Sequence, residues 1–231
     1  MAPLLNTNLQ AFNLTVSTLL KQPSHLLPNL TISTFLDLPE QIGAHLPSRS
    51  PNEGEKPNIK ALILDKDNTL CPPNTTSIPT PYLQKLEQLR TSPTSPFNLK
   101  TNPDGVLIVS NTAGSRPGSR RYENEARTLE EKLRYLRIPV FRVRSSSEGG
   151  DGGVITRPDE VVVVGDRLGT DTLMAAQMGS WSVWCKDGVT HSVSNEPGMD
   201  YRGFLAKVEI VLERYLRETK GVKVRVPKGW E

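Results

Sequence analysis

Short runs of apolar residues punctuate the chain at 61–64 (ALIL), 106–109 (VLIV), 140–143 (VFRV) and 161–164 (VVVV), with a weaker one at 182–184 (SVW). Runs this short, with little or no polar alternation, fit strands buried on both faces, as in a parallel sheet. Segments with helical spacing lie between them. Tyr82, Leu83, Leu86 and Leu89 share one face over residues 81–90, and a charged helix is predicted over 122–136. Another helix opens at 172–178, and Phe204, Val208, Val211, Leu212 and Tyr215 mark a last one. Strands alternating with helices predict an α/β fold: a three-layer α/β/α Rossmann-like domain with a parallel sheet.

Upstream, Leu5, Leu9, Phe12, Val16 and Leu19 fall on one helical face, opposite Asn6, Thr7, Gln10, Ser17 and Thr18. Such a helix can lie in a membrane interface or pack on the domain. The pattern divides the chain into a helical segment at 1–45, broken by Pro23 and Pro28, and a proline-rich linker at 46–58. The α/β domain follows at 59–219, and a basic tail at 220–231, where Val222, Val224 and Val226 alternate as in an edge strand. Residues 91–104 and 144–159 read as loops by composition.

Composition narrows this only slightly. With 19 prolines, 17 glycines and 36% hydrophobic residues, the core must sit in part of the chain. The net charge of +3 excludes neither nucleic acid nor membrane partners. Cys71 and Cys185 are the only cysteines, and His25, His45 and His191 are scattered, so neither a zinc site nor a disulfide framework is indicated. No stretch reaches the ~18 apolar residues of a membrane span.

In a parallel sheet the chemistry lies beyond the carboxyl ends of the strands, and polar clusters stand at those places. Asp65 and Asp67 follow the 61–64 run, Ser110 and Asn111 the 106–109 run, and Asp166 the 161–164 run, with Asp171 five residues further on. Asp65 suits a nucleophile toward phosphorus, and Asp67 an acid that protonates the leaving alcohol and then activates water. A carboxylate meets an anionic phosphate only with charge compensation, which a hard cation such as Mg²⁺ supplies through oxygen ligands. Asp65, Asp166 and Asp67, the last through its carbonyl, are the candidate ligands, with Asp171 in support. Ser110, Asn111 and Thr69 are placed to receive phosphate oxygens, and Asn68 to help close the loop.

DKDNT at 65–69, SNTAG at 110–114 and GDRLGTD at 165–171 resemble the first, second and fourth motifs of the haloacid dehalogenase-like phosphatases. ALILDKDNTL, VVVVGDRLGTDTLMA and the upstream LLPNLTISTFLDLP are most similar to the mitochondrial phosphatidylglycerophosphatases of fungi and plants. The resemblance implies a Mg²⁺-dependent hydrolysis of phosphatidylglycerophosphate, on the route to cardiolipin, at the matrix side of the mitochondrial inner membrane. It also implies a lysine that offsets the charges of aspartate and phosphate, yet no lysine occurs between Lys132 and Lys186. Arg142, Arg144 and above all Arg157 are the candidate substitutes, although a planar guanidinium is not equivalent to an ammonium. That departure leaves open a catalytically inactive phosphate- or lipid-binding member, or an imperfect gene model across 142–158.

The intervals between the motifs have no room for a cap domain, which predicts an open, capless site. A large phosphate carrier then fits: a membrane lipid, a phosphoprotein or a nucleic-acid end. The apolar face of the first helix, and Arg116, Arg120 and Arg121 after SNTAG, favour an anionic phospholipid. The expected association is peripheral and membrane-bound, without nucleic acid, and an oligomer is compatible with it.

Overall fold

In a computed structural model of the protein, the described residues are 7–49, 54–143, 157–189 and 204–231. Five strands form one sheet: β1 (Leu30–Ile32), β2 (Ala61–Asp65), β3 (Val106–Val109), β4 (Val161–Gly165) and β5 (Trp181–Cys185). Their order is β1-β5-β4-β2-β3, and every pairing is parallel. All five residues of β4 and of β5 are buried, as unbroken apolar strands covered on both faces should be.

The helices are α1 (Thr7–Lys21), α2 (Thr80–Thr91), α3 (Arg120–Lys132), α4 (Leu173–Met178) and α5 (Phe204–Arg214). Right-handed crossovers dictate their sides. The chain moves outward from β2 through α2 to β3 and through α3 beyond it, then steps the other way from β4 through α4 to β5. Helices α2 and α3 therefore share one face and α4 takes the other. On that second face Leu19 of α1 and Leu212 of α5 pack with Leu26, Leu27, Leu173 and Leu216. No described helix is long and apolar enough to cross a membrane.

Three expectations change. The run at 140–143 makes a single bridge, Val140 beside Ile108, because beyond it the Val143 amide turns to the carbonyl of Gly114 (3.1 Å) in the loop after β3, while Arg142 pairs bidentately with Glu130 (2.6 and 2.7 Å). The segment at 1–45 is no separate unit: Leu30–Ile32 pairs with Val183, Trp184 and Cys185, and Phe35, Leu38 and Ile42 lie in the main core. Leu46, at the start of the expected linker, joins them there. The tail at 220–231 is also integrated. Trp230 packs edge-on against Trp181 at 5.7 Å and donates its indole N–H to Asp159 (2.9 Å), while Val222 and Val224 cover the α1–α4–α5 cluster instead of forming an edge strand.

One polar group organises the irregular stretch between α2 and β3. The Arg90 side chain is almost fully buried, and it donates to the carbonyls of Leu136 (2.9 Å), Phe97 (2.8 Å), Asn102 (3.0 Å) and Pro103 (2.6 Å). A loop rich in Ser, Thr, Pro and Asn buries little apolar surface, so these charge-assisted bonds fix its path instead.

Candidate active site

Strand register brings the motifs to one level. Asp65 stands opposite Val109, so Ser110 follows beside it, and the preceding pair, Leu64 and Val164, puts Gly165 and Asp166 alongside. Carboxylate oxygens of Asp65, Asp166 and Asp171 all lie within 4.8 Å of one another. Asp166 and Asp171 are buried and Asp65 is partly exposed.

Asp171 reaches this cluster because the backbone is locally underwound. Residues Leu168–Thr172 form a π-helical turn in which the amides of Asp171 (3.0 Å) and Thr172 (3.2 Å) both point to the Arg167 carbonyl. The Asp171 carboxylate is pinned through Oδ2 by the Arg167 amide (3.0 Å) and through Oδ1 by the Thr170 hydroxyl (2.9 Å). Gly165 makes room for it: a Cβ there would stand 2.1 Å from Asp171 Oδ2. Above the cluster, the Trp184 indole donates to the Asp166 carbonyl (2.8 Å). Glu209 of α5, missed in the sequence, accepts the Gly169 amide (3.0 Å) and ties that helix to the turn.

The three carboxyls titrate above their usual range. Burial raises Asp65 first, and the charges of Asp171, Asp166 and Asp67 add to it. Asp166 is raised by burial and then by Asp171. Burial raises Asp171 as well, against the opposing Arg167 amide bond. A largely buried cluster of mutually repelling oxygens, free of thiol or imidazole donors, fits a hard divalent cation such as Mg²⁺. Both cysteines are free and buried, and burial pushes the Cys71 thiol up to about 12.

The Asp67 side chain stands apart from this carboxylate cluster, which leaves its carbonyl as the expected ligand atom. Its Oδ1 accepts the Asn74 amide (2.9 Å) and lies 3.2 Å from Lys66 Nζ. Its Oδ2 accepts the Thr112 hydroxyl (3.4 Å), which in turn lies 3.1 Å from Ser110 Oγ. Ser110 Oγ also accepts the amides of Thr112 and Ala113, so Ser110 shapes its own turn. Asn111 is exposed at the rim. Thr69 donates to Asp65 Oδ2 at 3.4 Å, and Asn68 takes a left-handed conformation (φ 61°) that folds the loop back over β2.

Neither described arginine among the expected lysine substitutes is brought to this edge. Arg157 precedes β4, at the opposite end of that strand from Asp166, where it pairs with Asp159 (3.1 Å) and Glu160 (3.7 Å). Arg142 is held by Glu130 and Glu123, and these bonds raise its pKa further. Arg144 lies outside the described residues. Arg116 and Arg121 are exposed and stack over the Tyr122 ring at 5.5 and 5.9 Å.

Fold and site together define a parallel α/β protein with a cluster of carboxylates at the carboxyl edge of its sheet. The chain belongs to the family described as mitochondrial PGP phosphatase, whose model matches residues 9–190. It is 40% identical over 185 residues to Phosphatidylglycerophosphatase GEP4, mitochondrial, of Saccharomyces cerevisiae, covering 76% of this chain and 86% of that protein. It is 27% identical over 191 residues to the Probable phosphatidylglycerophosphatase, mitochondrial, of Schizosaccharomyces pombe, covering 80% and 84% respectively. No solved structure matches the chain significantly.

Proposed function

We propose that this protein hydrolyses phosphatidylglycerophosphate to phosphatidylglycerol and phosphate, in mitochondria, at the matrix face of the inner membrane. The observation that carries the reading is the convergence of Asp65, Asp166 and Asp171 within 4.8 Å, with Asp67 on the adjacent loop, in a member of the PGP phosphatase family. The three carboxylates would hold Mg²⁺, which when bound offsets the phosphate charge and polarises the phosphoryl group.

A carboxylate oxygen of Asp65 attacks phosphorus, the bond to the ester oxygen breaks, and Asp67 gives that oxygen its proton. Water then attacks the phosphoryl group on Asp65, Asp67 takes the water proton, and phosphate leaves with Asp65 regenerated. Ser110 and Thr69 orient the non-bridging oxygens. The cap-free edge admits a phosphate presented at a lipid surface, where the exposed Arg116, Arg120 and Arg121 meet anionic headgroups.

A second reading, a module that binds metal and phosphate without turnover, rests on the engagement of Arg142 and Arg157 away from the site. Both are tested by phosphate release from phosphatidylglycerophosphate in mixed micelles, with and without Mg²⁺, alongside Asp65→Asn. A phosphopeptide and a 5′-phosphorylated oligonucleotide serve as competing substrates. The expected result is Mg²⁺-dependent release from the lipid that Asp65→Asn abolishes. Near-normal turnover in that variant overturns the nucleophile assignment. Binding of Mg²⁺ without release favours the inactive module.

A further inference from the structure

We infer that Lys66, between the two aspartates of DKDNT, is a positioning residue that aims Asp67 at the leaving oxygen, in concert with Glu125 of α3. The inference rests on the phosphatase reading above. Lys66 is fully buried, and its Nζ lies 3.2 Å from Asp67 Oδ1 and 3.6 Å from Glu125 Oε2. Both are ion-pair distances, but neither contact has hydrogen-bond geometry, and Nζ and Glu125 Oε2 are left without hydrogen-bond partners. Sealing an ammonium from water costs several kcal/mol unless its partners recover it, so a loosely bonded buried lysine is expensive as mere packing.

The two oxygens of Asp67 divide the work. Oδ1 is anchored by the Asn74 amide and faces Lys66, whereas Oδ2 faces the Thr112 and Ser110 hydroxyls where phosphate is received. Glu125, itself held by Arg121 at 3.1 Å, keeps the lysine behind the carboxylate. The cation therefore selects one Asp67 rotamer and leaves a single oxygen for proton transfer. It also puts a positive charge behind an edge that has no lysine between Lys132 and Lys186.

The test compares two phosphate esters by kcat/KM, which reports only the steps up to departure of the first product. An alkyl ester such as phosphatidylglycerophosphate needs a proton on its leaving oxygen, whereas p-nitrophenyl phosphate scarcely does. Lys66→Met should lower the alkyl value about 100-fold and the aryl value less than about tenfold, the range expected for a displaced general acid. Glu125→Gln should shift the same ratio in the same direction, and it carries the test alone if Lys66→Met does not fold. Lys66→Arg, which keeps the charge, should restore part of the alkyl rate. Equal losses on both esters in a folded variant would reduce Lys66 to a structural ion pair and overturn the inference, as would no loss at all. Asp67→Asn is run in parallel. If it shows no preference for the aryl ester, the role of Asp67 fails first, and that of Lys66 with it.

Discussion

Replacing Gly165 by alanine adds one methyl group to the end of the central strand, and the geometry says where it must go. The new Cβ would lie 2.1 Å from Oδ2, 2.3 Å from Cγ and 2.5 Å from Cβ of Asp171, against ordinary contact at 3.4–4 Å. The carboxylate has to retreat by more than 1 Å, and in doing so it leaves the Arg167 amide and the Thr170 hydroxyl that hold it. Overpacking of this kind costs about 1–3 kcal/mol of stability, while a misplacement of about 1 Å in a catalytic array costs roughly 100-fold in rate. Activity should therefore fall far more than stability. The assay is phosphate release measured against Mg²⁺ concentration, with thermal unfolding in parallel. Gly165→Ala should need much more Mg²⁺ and keep about 1% of kcat/KM. Because the effect passes through one side chain, Gly165→Ala combined with Asp171→Gly, which also removes the clashing Cβ, should be scarcely worse than Asp171→Gly alone, a strongly non-additive cycle. A folded Gly165→Ala protein within about threefold of normal activity, with normal Mg²⁺ dependence, would show that Gly165 does not set the place of the Asp171 carboxylate.

Arg90→Met should remove the donors to the carbonyls of Leu136, Phe97, Asn102 and Pro103. A loss of about 4 kcal/mol is expected, lowering Tm by roughly 8–16 °C; a shift below about 3 °C in calorimetry would contradict it. The raised pKa values of Asp65, Asp166 and Asp171 mean that the metal-free folded protein holds more protons than the unfolded chain above about pH 4, so these groups cost stability as pH rises. Mg²⁺ removes that cost, and the Tm gain it confers should grow between about pH 5 and pH 8; a constant or shrinking gain would argue against cation binding at these carboxylates.

The strands that carry the chemistry were legible because each is a contiguous apolar run ending in a charged or hydroxyl residue, as in ALILD and VVVVGD. Strand β1 was not. Leu30–Ile32 alternates with Thr31 and follows Pro28, and only its pairing with Val183–Cys185, some 150 residues away, makes it a strand. The converse error at 140–143 has a local cause, since β3 ends at Val109 and the Val143 amide finds its partner in the Gly114 carbonyl of the following loop instead of in a ladder. Within the site, the meeting of Asp65 with Asp166 followed from parallel-sheet logic. The full membership of Asp171 depends on a π turn that leaves no pattern in GDRLGTD, and the turning of Asp67 toward Lys66 depends on contacts from Asn74 and Thr112 in loops. Lys66 itself was in view within DKDNT; what the sequence hid was its burial.

The edge position of β1 also has a consequence for how the molecule is made. Its partner β5 ends at Cys185, so the strand that leaves the ribosome early must wait for roughly 150 further residues, on the order of ten seconds or more at ordinary elongation rates. Until then Phe35, Leu38 and Ile42, which belong to the main core, have no finished sheet to cover. The nascent chain thus carries an unsatisfied apolar segment until β5 has been made. Closure of the sheet joins its two ends in a single late event, typical of slow, high-contact-order folding.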